Sequence, residues 1–358
     1  MKGLLLAGGH GTRLRPLTFS GNKHMIPIAN QPILFYGLRH LQAAGVREVG
    51  LVLGPIEEGI VEAVGDGSRF GLQVTYIRQG EPKGLAHAVL CGREFLGEEP
   101  FVMYLGDNLL EHGIAPFLAA YRARAPAAVI GVASVANPQK FGVVELDSKG
   151  AIASIEEKPA APRSDLALVG VYLFSPAIHE AIAGLRPSAR GELEITDAIR
   201  ALHARGASVV VERVNGWWKD TGQPSDLLEA NERVLRSMPP DGVAHAGCVE
   251  EGARISGTVG LEAGTVVERG AVITGPCVLG RNCRVGRGSR IGPYVALGDG
   301  VRVEGAALSR SIVLANSRLA GAMELRDCLI GRDTSIVATS KRKRAISLVL
   351  GDSCRASL

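Results

Sequence analysis

Val249–Val303 reads VEEGARISGTVGLEAGTVVERGAVITGPCVLGRNCRVGRGSRIGPYVALGDGVRV. One aliphatic residue returns at every sixth position without a miss: Val249, Ile255, Leu261, Val267, Ile273, Leu279, Val285, Ile291, Leu297 and Val303. Gly280, Gly286, Gly292 and Gly298 follow four of them. An α-helix drifts out of phase with such a repeat, and an ordinary strand alternates at every second residue. A coil with short flat sides satisfies it, because one side chain per side points inward and stacks on its equivalent in the next coil. Beyond Val303 the interval loosens to fives and sixes at Leu308, Leu314, Leu319, Leu325, Ile330 and Ile336, which predicts the same coil with irregular corners as far as about Ser340.

Upstream of the coil stands a turn cluster, Pro239-Pro240-Asp241-Gly242. Before it, β-branched or leucine-rich runs predict strands at Leu4–Ala7, Val49–Leu53, Val74–Ile77, Phe101–Leu105, Val129–Ala133, Leu168–Phe174 and Val209–Glu212. Helical patterns fall at Ile33–Ala44, Ala86–Phe95, Ile114–Arg124, Glu194–Ala204 and Ser225–Ser237. Strands alternating with helices imply a mostly parallel sheet covered on both faces. The expected organisation is therefore a Rossmann-like α/β domain over 1–238, then a coil domain over 243–358. The repeat of the second domain resembles the hexapeptide repeat of left-handed parallel β-helices.

At 358 residues the chain exceeds what one hydrophobic core usually supports, in keeping with two domains. A formal net charge of +4 with 21% charged residues gives no basis for a nucleic-acid-binding surface, and the expected partners are small molecules. The dense basic run Lys341 to Arg344 reads as a solvated loop. The first residues show no signal peptide, and no apolar stretch approaches the ~20 residues needed to span a membrane, so the expectation is a cytoplasmic protein without a membrane partner. Six cysteines (91, 248, 277, 283, 328 and 354) contain no CxxC pair, which argues against a disulfide framework or a zinc site.

Chemistry concentrates in Gly8-Gly9-His10-Gly11-Thr12-Arg13-Leu14-Arg15-Pro16, directly after the first strand. Glycines at such a position let successive backbone N–H groups close on an anion, as in phosphate-binding loops. The segment lacks the Lys-Ser/Thr ending of a Walker loop and does not fit the GxGxxG dinucleotide spacing. With Arg13 inside GxGTRLxP and Lys23 ten residues later in Lys23-His24-Met25-Ile26-Pro27, the chain resembles the sugar-1-phosphate nucleotidyltransferase family. The resemblance covers residues 1 to about 235.

It implies that Gly8, Gly9, Gly11 and Thr12 cradle a nucleoside triphosphate, and that Arg13 and Lys23 clamp its phosphates. Gln79-Gly80-Glu81-Pro82-Lys83-Gly84-Leu85-Ala86-His87-Ala88 looks like a pyrimidine-reading loop, with Gln79 and Gly84 against the base. Asp107, in Leu105-Gly106-Asp107-Asn108, and Asp220, in Trp217-Trp218-Lys219-Asp220, match the pair that holds Mg²⁺ in the family. Phe141-Gly142-Val143-Val144, Glu156-Glu157-Lys158-Pro159, Val169-Gly170-Val171-Tyr172 and Arg190-Gly191-Glu192-Leu193-Glu194-Ile195-Thr196-Asp197 resemble the segments lining a hexose pocket. By that carry-over Gly142 and Glu157 bond sugar hydroxyls, Lys158 and Arg190 hold the sugar phosphate, and Val169, Tyr172 and Asp107 belong to the same site. Read without the resemblance, Gln79 is a surface polar residue, Asp107 a cap, Asp220 a turn residue, and Glu157 with Lys158 an exposed ion pair. Trp218 reads either as a ligand contact or as a core residue.

The implied reaction joins glucose 1-phosphate to dTTP, with Mg²⁺, and releases pyrophosphate without a protein nucleophile; Arg13, Lys23 and Lys158 would be the catalytic cations. UTP or an amino-hexose phosphate remain alternative substrates. Hexapeptide coils also occur in acyltransferases that use a histidine, but all eight histidines precede the repeat. A non-catalytic protein need not keep Arg13, Lys23, Asp107 and Asp220. The coil is then an assembly element, and a homo-oligomer is expected.

Overall fold

Lys2–Ala7 (β1) is apolar almost throughout because it is hydrogen-bonded on both sides, to Glu48–Leu53 and to Phe101–Leu105, in parallel. Such a strand is buried on both faces, so its sequence cannot alternate. The computed structural model describes residues 1–240, 243–339 and 344–358. Asp241 and Gly242 of the expected turn, and Lys341 to Lys343 of the basic run, lie outside the described residues. The chain packs as two units: Met1–His10 with Ile33–Asp220, and Gly11–Pro32 with Thr221–Leu358.

In the first unit the elements after β1 are α1 (Ile33–Ala43), β2 (Glu48–Leu53), α2 (Ile60–Val64), β3 (Gln73–Arg78), α3 (Leu85–Cys91), α4 (Arg93–Leu96), β4 (Phe101–Leu105) and β5 (Asn108–Leu110). There follow α5 (Ala115–Arg124), β6 (Ala128–Ser134), β7 (Gly142–Leu146), β8 (Ile152–Glu157), β9 (Leu166–Phe174), α6 (Ala177–Ala183), α7 (Ile195–Ala204), β10 (Val209–Arg213) and β11 (Trp218–Asp220). Nine strands share one sheet in the order β8-β7-β9-β4-β1-β2-β3, with β6 pairing β9 and β10 pairing β6. The half carrying the glycine loop is parallel, whereas β9 runs antiparallel to β4, β6 and β7. Strands β5 and β11 form a separate antiparallel ribbon.

The helix expected over Ala86–Phe95 divides into α3 and α4 at Gly92. A Cβ at Gly92 would stand 2.9 Å from Leu4 Cδ1, so the glycine gives the Leu4 side chain of β1 its room. The hairpin β7–β8, which the sequence pattern did not disclose, turns through Asp147. Its Oδ1 accepts from the N–H groups of Lys149 (2.8 Å) and Ala151 (2.9 Å).

The second unit is built on the coil. Each early strand pairs in parallel with the strand eighteen residues on, Arg254 with Val272 and Val272 with Arg290, so three sides of six make one turn. The strands stack into three parallel sheets of seven, five and six, the left-handed β-helix anticipated from the hexads. The inward residues form three columns: Val267-Val285-Val303-Leu319-Ile336, Ile273-Ile291-Leu308-Leu325, and Leu261-Leu279-Leu297-Val313-Ile330.

Three details differ from the hexad reading. The inward residue near 314 is Val313, in register with Leu297 and Ile330, because that turn is shortened to sixteen residues. Val249 and Ile255 remain 45% and 37% exposed, since the first turn has no turn before it to cover them. Past Ser340 the coil continues: Val349 pairs with Leu329, and Arg355 with Ser335. Helix α8 (Pro224–Ser237) belongs to this unit. Its Gln223 cap donates a backbone N–H to Asp226 Oδ2 at 2.9 Å, and its Leu235 packs with Val278, Ala296 and Ala29. No helix among the described residues is long and apolar enough to cross a membrane.

Ile255 and Ile291 occupy one column, at an open and a closed position. Ile291→Ala is expected to cost about 2–5 kcal/mol of stability, and Ile255→Ala less than half as much. Chemical denaturation of the two variants checks this; equal losses would contradict the stacking order.

Candidate functional site

In the first unit the parallel strands deliver three candidate residues to their carboxyl ends. Gly8 follows β1. Gln79 follows β3, and its N–H donates to Leu53 O at the end of β2 (2.9 Å). Asp107 follows β4, immediately after Gly106, whose N–H donates to Leu6 O (2.9 Å). This edge is where open α/β sheets bind ligands.

Asn108 organises the surroundings of Asp107. It is 2% exposed, and its Nδ2 donates to Asp107 Oδ1 (2.9 Å). Its Oδ1 accepts from Trp218 Nε1 (2.6 Å) and from Gly170 N–H (3.3 Å), and its carbonyl accepts from Tyr104 Oη (3.2 Å). In the β5–β11 ribbon Asn108 stands directly opposite Asp220. One amide therefore links Asp107, two residues beyond β4, to the strand that ends at Asp220. Trp218 also meets Phe141 edge-on, with centroids 5.4 Å apart, so its ring has structural partners on two sides.

The pyrimidine-loop candidates are pinned to the segment before α7. Leu193 N–H donates to Lys83 O (2.8 Å), and Ala86 N–H to Leu193 O (3.0 Å). Gly84 has φ +99° and a Cβ there would fall 2.4 Å from Leu193 O, so both conformation and space demand glycine. Gln79 Nε2 donates to Gly84 O (3.3 Å) and to His87 Nδ1 (3.0 Å).

The sugar-side candidates Gly142, Glu157, Lys158 and Arg190 also come together. Glu157 lies 3.6 Å from Lys158 Nζ and 3.3 Å from Arg190 Nη2, and it accepts from Thr196 Oγ1 at 3.3 Å. A Cβ on Gly142 would sit 3.2 Å from Glu157 Oε2. Burial raises the Glu157 carboxyl above its ordinary range, outweighing Lys158, whose charge acts in the opposite sense. Arg190 is shared among Glu157, Glu192 and the buried Glu194, at 3.3, 3.4 and 2.8 Å. These contacts are made through Nη2, with Nε also donating to Glu194. Val169 and Tyr172 lie within β9 and are buried, with Tyr172 stacked on Phe174. Asn108, Thr196 and Glu194 carry much of this geometry and were given no individual role from sequence, although Asn108 stands in the motif with Asp107, and Glu194 and Thr196 in the segment that begins at Arg190.

In the second unit, Gly11–Pro32 forms a strap carrying Thr12, Arg13 and Lys23. Thr18 Oγ1 donates to Gly11 O (2.8 Å), and Asn22 Oδ1 accepts from His24 N–H (2.9 Å) at the start of the turn with Lys23. The strap is fixed to the coil at both ends. Ser20 Oγ donates to Asp352 Oδ2 (2.6 Å), while Asn30 Nδ2 donates to Leu297 O (2.7 Å) and Ala29 N–H to Asn231 Oδ1 of α8 (2.9 Å). The Arg13 guanidinium lies over Gly222, where a Cβ would come within 2.9 Å of Nη2. Among the described residues no group of three or more His, Cys, Asp or Glu forms a metal cage. A metal at Asp107 and Asp220 would complete its shell with phosphate oxygens and water, which is how Mg²⁺ is usually held.

Residues 2–237 match the nucleotidyl transferase family. A glucose-1-phosphate thymidylyltransferase of Streptomyces griseus is 47% identical across 100% of this chain and 99% of its own. The low-salt glycan biosynthesis nucleotidyltransferase Agl11 of Haloferax volcanii is 45% identical over 94% of each chain. Among solved structures, a UDP-glucose pyrophosphorylase complexed with UDP-glucose superposes with a TM-score of 0.59 at 27% identity, covering 66% of this chain and 98% of that one.

Gly222→Ala is expected to swing the Arg13 guanidinium aside and lower turnover by about 10²-fold, the effect of a small misplacement of a catalytic group. Its melting temperature should stay close to that of the parent. Undiminished turnover would show that the position of Arg13 over Gly222 is immaterial.

Proposed function

We propose that this chain, which belongs to the nucleotidyl transferase family, is a glucose-1-phosphate thymidylyltransferase, converting dTTP and glucose 1-phosphate to dTDP-glucose and pyrophosphate. The observation that carries the reading is a set of chemically matched groups at the carboxyl edge of the parallel strands. A glycine turn, the Gln79 amide and the Asp107 carboxylate anchored by Asn108 all lie there. The full-length likeness to the Streptomyces griseus thymidylyltransferase supports the choice of base and sugar.

Two polyanions must meet for this reaction, so the work is charge neutralisation and alignment. Arg13 and Lys23 draw charge from the triphosphate and from the departing pyrophosphate. Lys158 and Arg190 orient the sugar phosphate so that one of its oxygens attacks the α-phosphorus opposite the leaving group. Glu157 and the backbone at Gly142 select the sugar through its hydroxyls. Nucleotidyltransferases of this family generally need a divalent metal. We assign that role to Mg²⁺ at Asp107 and Asp220; when bound it supplies Lewis-acid neutralisation of the phosphate oxygens.

Pyrophosphate release, measured with glucose 1-phosphate and Mg²⁺ against dTTP, UTP, CTP, ATP and GTP, tests the reading. The expected order puts dTTP first. Arg13→Ala should lose about 10²-fold to 10³-fold in turnover without unfolding. Absence of pyrophosphate with every nucleotide, or near-normal turnover in Arg13→Ala, would overturn it.

A further inference from the structure

The Gln79 side chain can read a base in two opposite senses, as a donor through Nε2 or as an acceptor through Oε1. Its surroundings leave one of them. Both Nε2 hydrogens are used inside the protein, one toward Gly84 O at 3.3 Å and one toward His87 Nδ1 at 3.0 Å. Oε1 points instead to the glycine loop, where it would lie 2.9 Å from a Cβ on Gly8. Among the described residues Oε1 has no hydrogen-bond donor.

His87 and the Gly84 carbonyl together oppose a turned amide, and His87 makes the shorter of the two contacts. Its other ring nitrogen, Nε2, faces Cys91 Sγ at 3.8 Å. The Gly84 carbonyl can only accept, so the Gln79 nitrogen that faces it also faces His87, and Nδ1 answers as an acceptor when the ring proton sits on Nε2, toward Cys91 Sγ. With the ring proton on Nε2, Nδ1 is a bare lone pair and can only accept. Burial first, and then the charge of Lys83, draw His87 below its ordinary value, which keeps the imidazole neutral. A reversed Gln79 amide would set Oε1 against that lone pair and against Gly84 O, two repulsive contacts in place of two hydrogen bonds.

We infer that His87 is a positioning residue for base selection: by holding the Gln79 amide with Oε1 outward, it makes the site demand an N–H from the pyrimidine. Thymine and uracil present N3–H there, whereas cytosine presents a bare nitrogen. The inference rests on Gln79 being the base contact, and it moves the selectivity from that residue alone to the pair.

The test compares kcat/KM for dTTP, UTP and CTP, with glucose 1-phosphate and Mg²⁺, in the parent and in His87→Ala, His87→Gln and Gln79→Ala. His87→Ala should lower the dTTP-to-CTP ratio at least tenfold, mainly by gain of CTP use, because the amide is then able to turn. His87→Gln should restore most of the ratio, since its own carbonyl can accept from Gln79 Nε2. A merely structural role for His87 would depress all three nucleotides alike and leave the ratio unchanged, which would overturn the inference. If Gln79→Ala also leaves the ratio intact, the base-contact reading itself fails; if only Gln79→Ala collapses it, the role of His87 alone is refuted.

Discussion

A single buried amide, Asn108, holds together the part of the sheet edge where the candidate chemistry lies. A buried side-chain amide must have its donors and acceptors met, and here each partner is a different element. Nδ2 engages Asp107, Oδ1 engages Trp218 and the backbone of β9, and the strand containing Asn108 pairs with the strand ending at Asp220. The Asp107 carboxylate could not shift without leaving Asn108 Nδ2 unmatched in a low-dielectric setting. The residue that fixes this candidate carboxylate has no charge of its own.

The β-helix contributes in a second way. It contains columns of stacked aliphatic residues, a rigid body of local parallel pairings. The strap Gly11–Pro32 is hydrogen-bonded to that body through Ser20, Ala29 and Asn30. The cations Arg13 and Lys23 lie on the segment that these bonds fix. A domain that reads as an assembly element in sequence therefore also anchors the segment that carries the candidate cations Arg13 and Lys23.

What could be read from the chain alone follows physical locality. The hexads were legible because each inward residue obeys a fixed spacing, and the one misplaced position, Leu314 in place of Val313, arose where a turn of the coil is short. The glycine loop and the residues Arg13, Lys23, Gln79, Asp107 and Asp220 were legible as motifs that share a chemical logic. Asn108 and Thr196 stood inside quoted motifs without a role of their own, because an amide or hydroxyl gains its meaning from partners distant in sequence. Nor did any period disclose that Gly11–Pro32 packs with the coil, or that the helix beginning near Ala86 divides at Gly92.

On the proposed function, the protein aligns and neutralises its reactants and offers no nucleophile of its own. That is a stereochemical statement. A single in-line attack of the sugar phosphate on the α-phosphorus inverts that centre, whereas passage through a nucleotidylated protein group inverts it twice. The most direct measurement is turnover of a chiral α-thio analogue of dTTP with glucose 1-phosphate, followed by phosphorus NMR of the sugar nucleotide. Inverted configuration is the predicted result; retained configuration would require a covalent intermediate and would contradict the account.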